Sequence, residues 1–495
     1  MSTENSPTTA VPVSGEATQD EPPAISRARW IGALIVLVLL TEQTVLGYTL
    51  LGPALLGLGT KYHTTQVIWI FTVFTLVGGV VIPMLGKLGD RYGKRRILVY
   101  AALVAAVGGA VSALAPTFDV LLVGRALQST SIAFFPLTFA LMRDVFPPAY
   151  RPISIAIATN GVGVVTVLGP FVAGFLIDHV SVSAVFWFLG AISLVGALGT
   201  LALVPESTIR DRSRIDWTGA AGLTLGMLLL LIGISQVEQW TVANPRTVLT
   251  VGGGLVVLVL WWFWERRTEQ PFIDTRIMAN RSVVTVLGAY SLAFASSYLM
   301  SAYMPILVQT PRVLGGEYGF GMTATQVAIF QIMPGVTIVL GGVVVGLASK
   351  RTGFRIYMIV GPLIMAAGGL AITLSWANSW LLSGAYAIVG IGVLCFAAAP
   401  NLMMILSPPA ERGITAAMLM TVSSIVASVF AQISGMVLTG QVTKSVQGVP
   451  VYSSLGSELP FLIGAGLAAA GFAIALLIPR AERQLTVPAG ELAHA

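Results

Sequence analysis

Fourteen runs of mostly apolar residues recur along this chain, joined by connections too short to fold separately. About 20 such residues carry a helix across the hydrocarbon core of a bilayer. In lipid every backbone polar group must be satisfied internally, so runs of this kind have to be helices. They lie near residues 30–55, 66–85, 97–115, 120–142, 153–177, 184–204, 218–236, 247–264, 282–307, 326–348, 357–375, 380–402, 414–438 and 460–479. Soluble domains carry about 25% charged residues, whereas this chain has 10% and a mean hydropathy of +0.86. The fold class is therefore all-α integral membrane. Residues 1–26 are too polar for a signal peptide and read as a disordered cytoplasmic tail, and 481–495 as a second cytoplasmic tail.

Charge orients the bundle. Of the 27 Lys and Arg residues, only Lys61, Arg246, Arg312 and Lys444 fall in one set of alternating loops. Arg125 alone lies inside a span, and the rest crowd the other side. The positive-inside rule makes that crowded side cytoplasmic, with both termini inside the cell. The net charge of +6 then reports orientation rather than nucleic-acid binding.

The chain also repeats. "GKLGDRYGKR" at 86–95 aligns with "GLASKRTGFR" at 346–355, and "PPAYRPISIA" at 147–156 with "PPAERGITAA" at 408–417, at nearly equal offsets. Two six-helix halves follow, 27–204 and 282–480, with two linker helices and their loops in 205–281. Parallel repeats of this kind place substrate between the halves and rock one against the other.

"GKLGDRYGKRR" resembles the signature loop of the major facilitator superfamily. With fourteen spans, the chain is similar to that superfamily's fourteen-span drug:proton antiporters over about residues 27–480. The resemblance implies a major facilitator fold and a cytoplasmic latch holding the outward-facing state, formed by Gly86, Asp90, Arg91, Gly93, Lys94 and Arg95. A loop that merely satisfies the positive-inside rule is the alternative. In the second half Lys350 replaces the acid. "LLVGRALQSTSIAFFP" resembles the family's second motif, with Arg125 as its embedded arginine, Gln128 one turn on, and Ser129 where glycine is usual. Gly169, Pro170 and Gly174 resemble the antiporter motif on the fifth span, with Asn160 and Ala173 in place of two of its glycines. In the first span "EQT" stands where the group often has Asp-x-Thr, so Glu42 matches the acid and Thr44 the threonine.

Glu42 is the one acid well inside a predicted span. An ionised carboxylate at the bilayer centre costs roughly 2.5 kcal/mol or more. One buried acid and one buried base in the same half suggest a pair, in which Arg125 stabilises the Glu42 carboxylate and Glu42 carries the coupled proton. A static pair kept for packing is the alternative.

The second half contributes neutral polar groups: Ser296, Ser297, Tyr298, Tyr303, Gln331, Asn401, Ser423, Ser424 and Gln432. Candidate substrate contacts are Tyr48, Gln128, Phe134, Asn160, Tyr298, Gln331, Phe396 and Asn401, with Phe135 nearby, suiting a large amphipathic or lipophilic ligand. His63, His179, His494 and the lone Cys395 make no metal site, and no P-loop is present. The expectation is a non-enzymatic, monomeric, proton-coupled exporter of drugs or hydrophobic metabolites in the inner or plasma membrane. It needs no cofactor beyond the coupling proton, and its partners are the bilayer and a small substrate. A lipid or natural-product exporter is the alternative on the same fold, and a non-transporting receptor or scaffold the alternative of another class.

Overall fold

A computed structural model of the chain describes residues 27–210, 216–236, 240, 244–269, 271, 280–312, 318–406, 412–446 and 449–479, the side chains of 160, 412–414, 416, 417, 444–446, 449 and 450 excepted. Outside these lie both expected tails, Arg212, Arg214 and Arg276, and the acids Asp211, Glu238, Asp274, Glu317 and Glu411.

Among the described residues fourteen helices are long and apolar enough to cross a membrane. Spans 1 to 6 are Arg27–Thr49, Trp69–Tyr92, Lys94–Leu114, Phe118–Val145, Arg151–His179 and Ala184–Leu203. Spans 7 and 8 are Trp217–Ser235 and Pro245–Arg267. Spans 9 to 14 are Arg281–Gln309, Ile332–Thr352, Arg355–Thr373, Ser379–Leu406, Met418–Thr439 and Ser454–Leu476. Spans 1–6 pack mainly on one another, as do spans 9–14, which gives two helical halves. Spans 7 and 8 pack mainly on each other, and span 7 also leans on spans 2 and 13. The halves meet along spans 2 and 13 and between span 5 and the start of span 10.

Three helices break where proline removes a backbone donor. Span 1 ends at Thr49 rather than running to residue 55, because Gly52 and Pro53 make a turn before a short helix, Leu55–Tyr62. Span 4 passes through a 3-10 segment, Ser129–Ala133, ahead of Pro136. There the Ser131 carbonyl accepts from Thr44 Oγ1 at 2.7 Å. Ahead of span 10, a short helix Ala324–Phe330 stops at Gln331, three residues before Pro334. The Phe330 carbonyl, four residues before Pro334, accepts instead from Ser383 Oγ at 2.7 Å.

The face bearing the arginine-rich loops is called the basic face below. On the opposite face a hairpin of β1 (Val442–Val446) and β2 (Val449–Tyr452) was not legible in the sequence. Its Tyr452 N–H donates to the Tyr318 hydroxyl at 2.8 Å, and burial pushes both phenols above their ordinary range.

Candidate functional site

Between the halves lies a cavity of about 240 Å³. Tyr48 and Thr49 of span 1, Phe71 of span 2 and Thr166 of span 5 line it from one side. Phe294, Ser297, Tyr298 and Ser301 of span 9, Gln331, Pro334 and Gly335 at span 10, and Tyr386 and Phe396 of span 12 line it from the other. Its walls carry phenol, hydroxyl and amide groups and no carboxylate or basic side chain among the described residues. Two of its polar contacts are internal: Tyr298 hydroxyl to Thr75 Oγ1 at 2.7 Å, and Tyr386 hydroxyl to Ser301 Oγ at 3.0 Å. Such a lining holds aromatic or apolar surface and offers a few orienting hydrogen bonds.

Four sequence candidates line this cavity: Tyr48, Tyr298, Gln331 and Phe396. Gln128 does not, because its amide oxygen is taken by Arg125. Phe134 is fully buried in the core of the first half, because the 3-10 segment before it resets the phase of span 4. Asn401 donates to the Ala397 carbonyl of its own helix at 2.9 Å and is not part of the lining. Asn160 lies on span 5, its side chain outside the described residues.

Arg125 is wholly buried, and each of its three guanidinium nitrogens donates a hydrogen bond. It donates to Gln128 Oε1 at 2.7 Å, the Ile70 carbonyl at 3.2 Å and the Gly47 carbonyl at 3.3 Å, and lies 4.1 Å from the centre of the Phe74 ring. Neutral acceptors and an aromatic face thus hold the cation and tie spans 1, 2 and 4 together.

The expected Glu42–Arg125 pair is not formed. Glu42 is only 5% exposed, yet neither carboxylate oxygen has a hydrogen-bond partner. Helical phase explains the separation. Glu42 and Gly47 are five residues apart, about 140° around the helix at 3.6 residues per turn. Gly47 faces Phe74, beneath Arg125, while Glu42 faces span 5, where a Cβ on Gly161 would run into its carboxylate. Seven residues along span 1, Thr49 meets Gly169 in the same way, so two glycines of span 5 seat two polar side chains of span 1.

The signature loop is held by the first half and by the linker segment, where Lys87 Nζ donates to the Pro271 carbonyl at 3.1 Å. Lys94 Nζ lies 2.8 Å from Asp144 and 3.4 Å from Asp90, and Asp144 also accepts from Ser207 Oγ. Arg91 lies over the ring of Tyr92. Glu206, beyond span 6, accepts from the backbone N–H of Arg95 at 3.0 Å and of Arg96 at 3.2 Å, which places an anion at the N-terminus of span 3. Gly93 has φ 116°, and a Cβ there would strike the Glu206 carboxylate. Asp144 and Glu206 lie outside the signature motif. Their role depends on loops that are distant in the chain.

On the opposite face the halves are joined. Asp178, at the end of span 5, accepts from the N–H groups of Ala324 at 3.2 Å and Thr325 at 2.9 Å. Deeper, Val167 packs near Gly335 and Gly163 near Val339. Toward the basic face, a Cβ on Gly342 or Gly346 of span 10, or on Gly86 of span 2, would meet nothing. The named contacts between spans 5 and 10 therefore run from the opposite face to mid-depth, and these glycines add none toward the basic face.

Two helical halves with a neutral cavity between them have the architecture of a membrane transporter. The profile of the Major Facilitator Superfamily matches residues 37–240 and 213–431, and the chain belongs to that superfamily. Multidrug resistance protein 3 of Bacillus subtilis is 24% identical over 71% of this chain and 67% of its own length. The uridine/deoxyuridine transporter of Lactococcus lactis is 24% identical over 81% and 85%. Multidrug export protein EmrB of Escherichia coli is 24% identical over 65% and 62%, so the chain spans less than two thirds of that relative. Among solved structures, an auto-inhibited POT family peptide transporter superposes with TM-score 0.62 at 16% identity, covering 90% of this chain and 96% of that one. The nucleoside transporter NupG superposes with TM-score 0.60 at 12% identity, covering 90% and 99%.

Proposed function

We propose that the protein is a proton-coupled exporter of hydrophobic or amphipathic compounds, working by alternating access with its basic face in the cytoplasm. The observation that carries this reading is Glu42, a carboxylate at membrane depth with no hydrogen-bond partner and no counter-charge at contact. Closing the seam between spans 1 and 5 around an ionised Glu42 would strand a charge in an apolar setting. Proton uptake and seating of that side chain are therefore coupled, and a conformation that admits water or cargo to Glu42 favours release. Arg125 acts in this reading as a positioning residue that fixes span 1, on the face turned away from Glu42.

The neutral cavity and the drug exporters among the relatives support amphipathic cargo, and the positive-inside rule supports the orientation. In proteoliposomes with an imposed pH difference, the wild type is expected to accumulate a fluorescent amphipathic dye, and Glu42→Gln to lose accumulation driven by the gradient. Undiminished gradient-driven accumulation by Glu42→Gln would overturn the reading.

A further inference from the structure

Most of the polar side chains lining the central cavity are engaged within the protein. Thr49 and Thr166 donate to the Val45 and Val162 carbonyls of their own helices, at 3.2 and 2.8 Å. Tyr386 donates to Ser301, and Tyr298 pairs with Thr75, which Tyr48 also engages. Among the described residues, Gln331 and Ser297 are left as the lining groups whose side chains have no hydrogen-bond partner. Gln331 is half-buried at the break before span 10. Its backbone N–H closes the helix Ala324–Phe330, while its side chain makes no cap to Ile332–Thr352. Gln43, Gln128, Gln309, Asn401 and Gln432 are the amides of the spans whose side chains are described, and each is hydrogen-bonded within the protein. An amide left over at an apolar wall costs free energy once water leaves, unless a ligand takes it up.

We propose that Gln331 sets the cargo specificity of the central cavity by pairing with a cyclic amide: a neutral, flat ring whose edge carries an N–H beside a C=O, as in a lactam or imide. The inference rests on the reading of this cavity as the cargo site, and it narrows the cargo to one chemical class. A carboxamide presents a donor and an acceptor side by side. Its full complement is an acceptor and a donor side by side, which gives two parallel hydrogen bonds. An acyclic secondary amide cannot supply them, because it is trans and its N–H and C=O point apart. A ring forces the amide cis and aligns both groups on one edge. The rest of the lining suits the ring itself. Phe71, Phe294 and Phe396 offer aromatic faces, and the Phe294 and Phe396 ring centres lie 5.7 Å apart. A charged cargo would meet no opposite charge on these walls. A sugar would bring more hydroxyls than Gln331 and Ser297 can satisfy, and a hydrocarbon would leave the Gln331 amide unpaired.

Equilibrium binding to the purified protein in lipid nanodiscs tests this with three neutral probes. They are the bicyclic lactam 2-quinolone, its N-methyl derivative, which lacks the donor, and acetanilide, whose amide is trans. The wild type is expected to bind 2-quinolone at least tenfold more tightly than either analogue. Gln331→Met keeps the length of the side chain and removes the amide, and should bring the three probes to similar affinity. It breaks no hydrogen bond of the side chain within the described fold, so its thermal stability should match the wild type. Asn401→Leu removes an amide outside the lining and should keep the wild-type preference. Equal affinity of the wild type for 2-quinolone and its N-methyl derivative overturns the inference, and that comparison needs no variant. No measurable binding of 2-quinolone overturns the cargo class. A preference that persists in Gln331→Met overturns the assignment to Gln331. These measurements use no pH difference, so they stand apart from the dye accumulation that tests Glu42. A lactam preference beside undiminished gradient-driven transport in Glu42→Gln would sink proton coupling alone, and the reverse pair of results would sink only the role of Gln331.

Discussion

The Gly47 carbonyl of span 1 accepts a hydrogen bond from Arg125 of span 4 at 3.3 Å, on the face of the helix turned away from Glu42. Among the described residues the one wholly buried arginine therefore serves as a fastener among helices, and the acid five residues before Gly47 stands without a hydrogen-bond partner.

Arg125→Gln should behave chiefly as a stability variant. It removes charge-assisted hydrogen bonds, each contributing about 1.5–3 kcal/mol. A loss of that size should lower the melting temperature of detergent-solubilised protein by several degrees. Transport per folded molecule should keep its dependence on the pH gradient, measured in proteoliposomes matched for folded protein. Selective loss of that dependence, with stability intact, would restore Arg125 to the coupling step.

Gly161→Ala places a methyl group where the Glu42 carboxylate sits. At least a tenfold loss of transport is expected. Combining it with Glu42→Ala should recover part of the lost stability, with a coupling of about 0.5–3 kcal/mol in a double-mutant cycle. Strict additivity of the two variants would show that the residues do not share this space.

Gly93→Ala forces a side chain into a left-handed conformation and against Glu206. The backbone penalty alone is about 1–2 kcal/mol. Lower thermal stability is expected, and Glu206→Ala in the same chain should relieve only the collision. Thermal unfolding of the two single variants and the double variant separates the contributions.

Asp178→Asn weakens the only contacts from a carboxylate across the halves at the opposite face among the described residues. Losing about 1 kcal/mol of closure shifts the balance between conformations roughly fivefold. Labelling of Ser297→Cys by an impermeant maleimide from the opposite face should rise by that factor. The native Cys395 is fully buried, so it supplies little background. An unchanged labelling rate would mean that other contacts hold this face.

The spans were legible because length and apolarity alone decide whether a helix can cross a bilayer, and Arg125 and Glu42 were legible because they break that pattern. Their partners were not. Arg125 is held by the backbone carbonyls of Ile70 and Gly47, groups that every residue carries and no motif can flag. Helix rotation, which decided against the Glu42–Arg125 pair, follows from packing against Phe74 and Gly161 rather than from sequence spacing. Tyr48, Tyr298, Gln331 and Phe396 were found among the polar and aromatic residues of the spans. Phe134 was misplaced because the 3-10 segment at Ser129–Ala133 shifts the phase of everything after it. Pro136 was the available clue, as Pro334 was for the break at Gln331.

The absence of any fixed charge from the described cavity walls has an electrical consequence. If Glu42 is the one group at depth that gains and loses a proton, each cycle admits one positive charge. Exchange for neutral cargo then moves net charge inward and draws on membrane voltage, at about 2.3 kcal/mol per 100 mV. Exchange for a monocation is electroneutral and runs on the pH difference alone. The same protein would therefore expel the two kinds of compound with different sensitivity to a collapsed membrane potential.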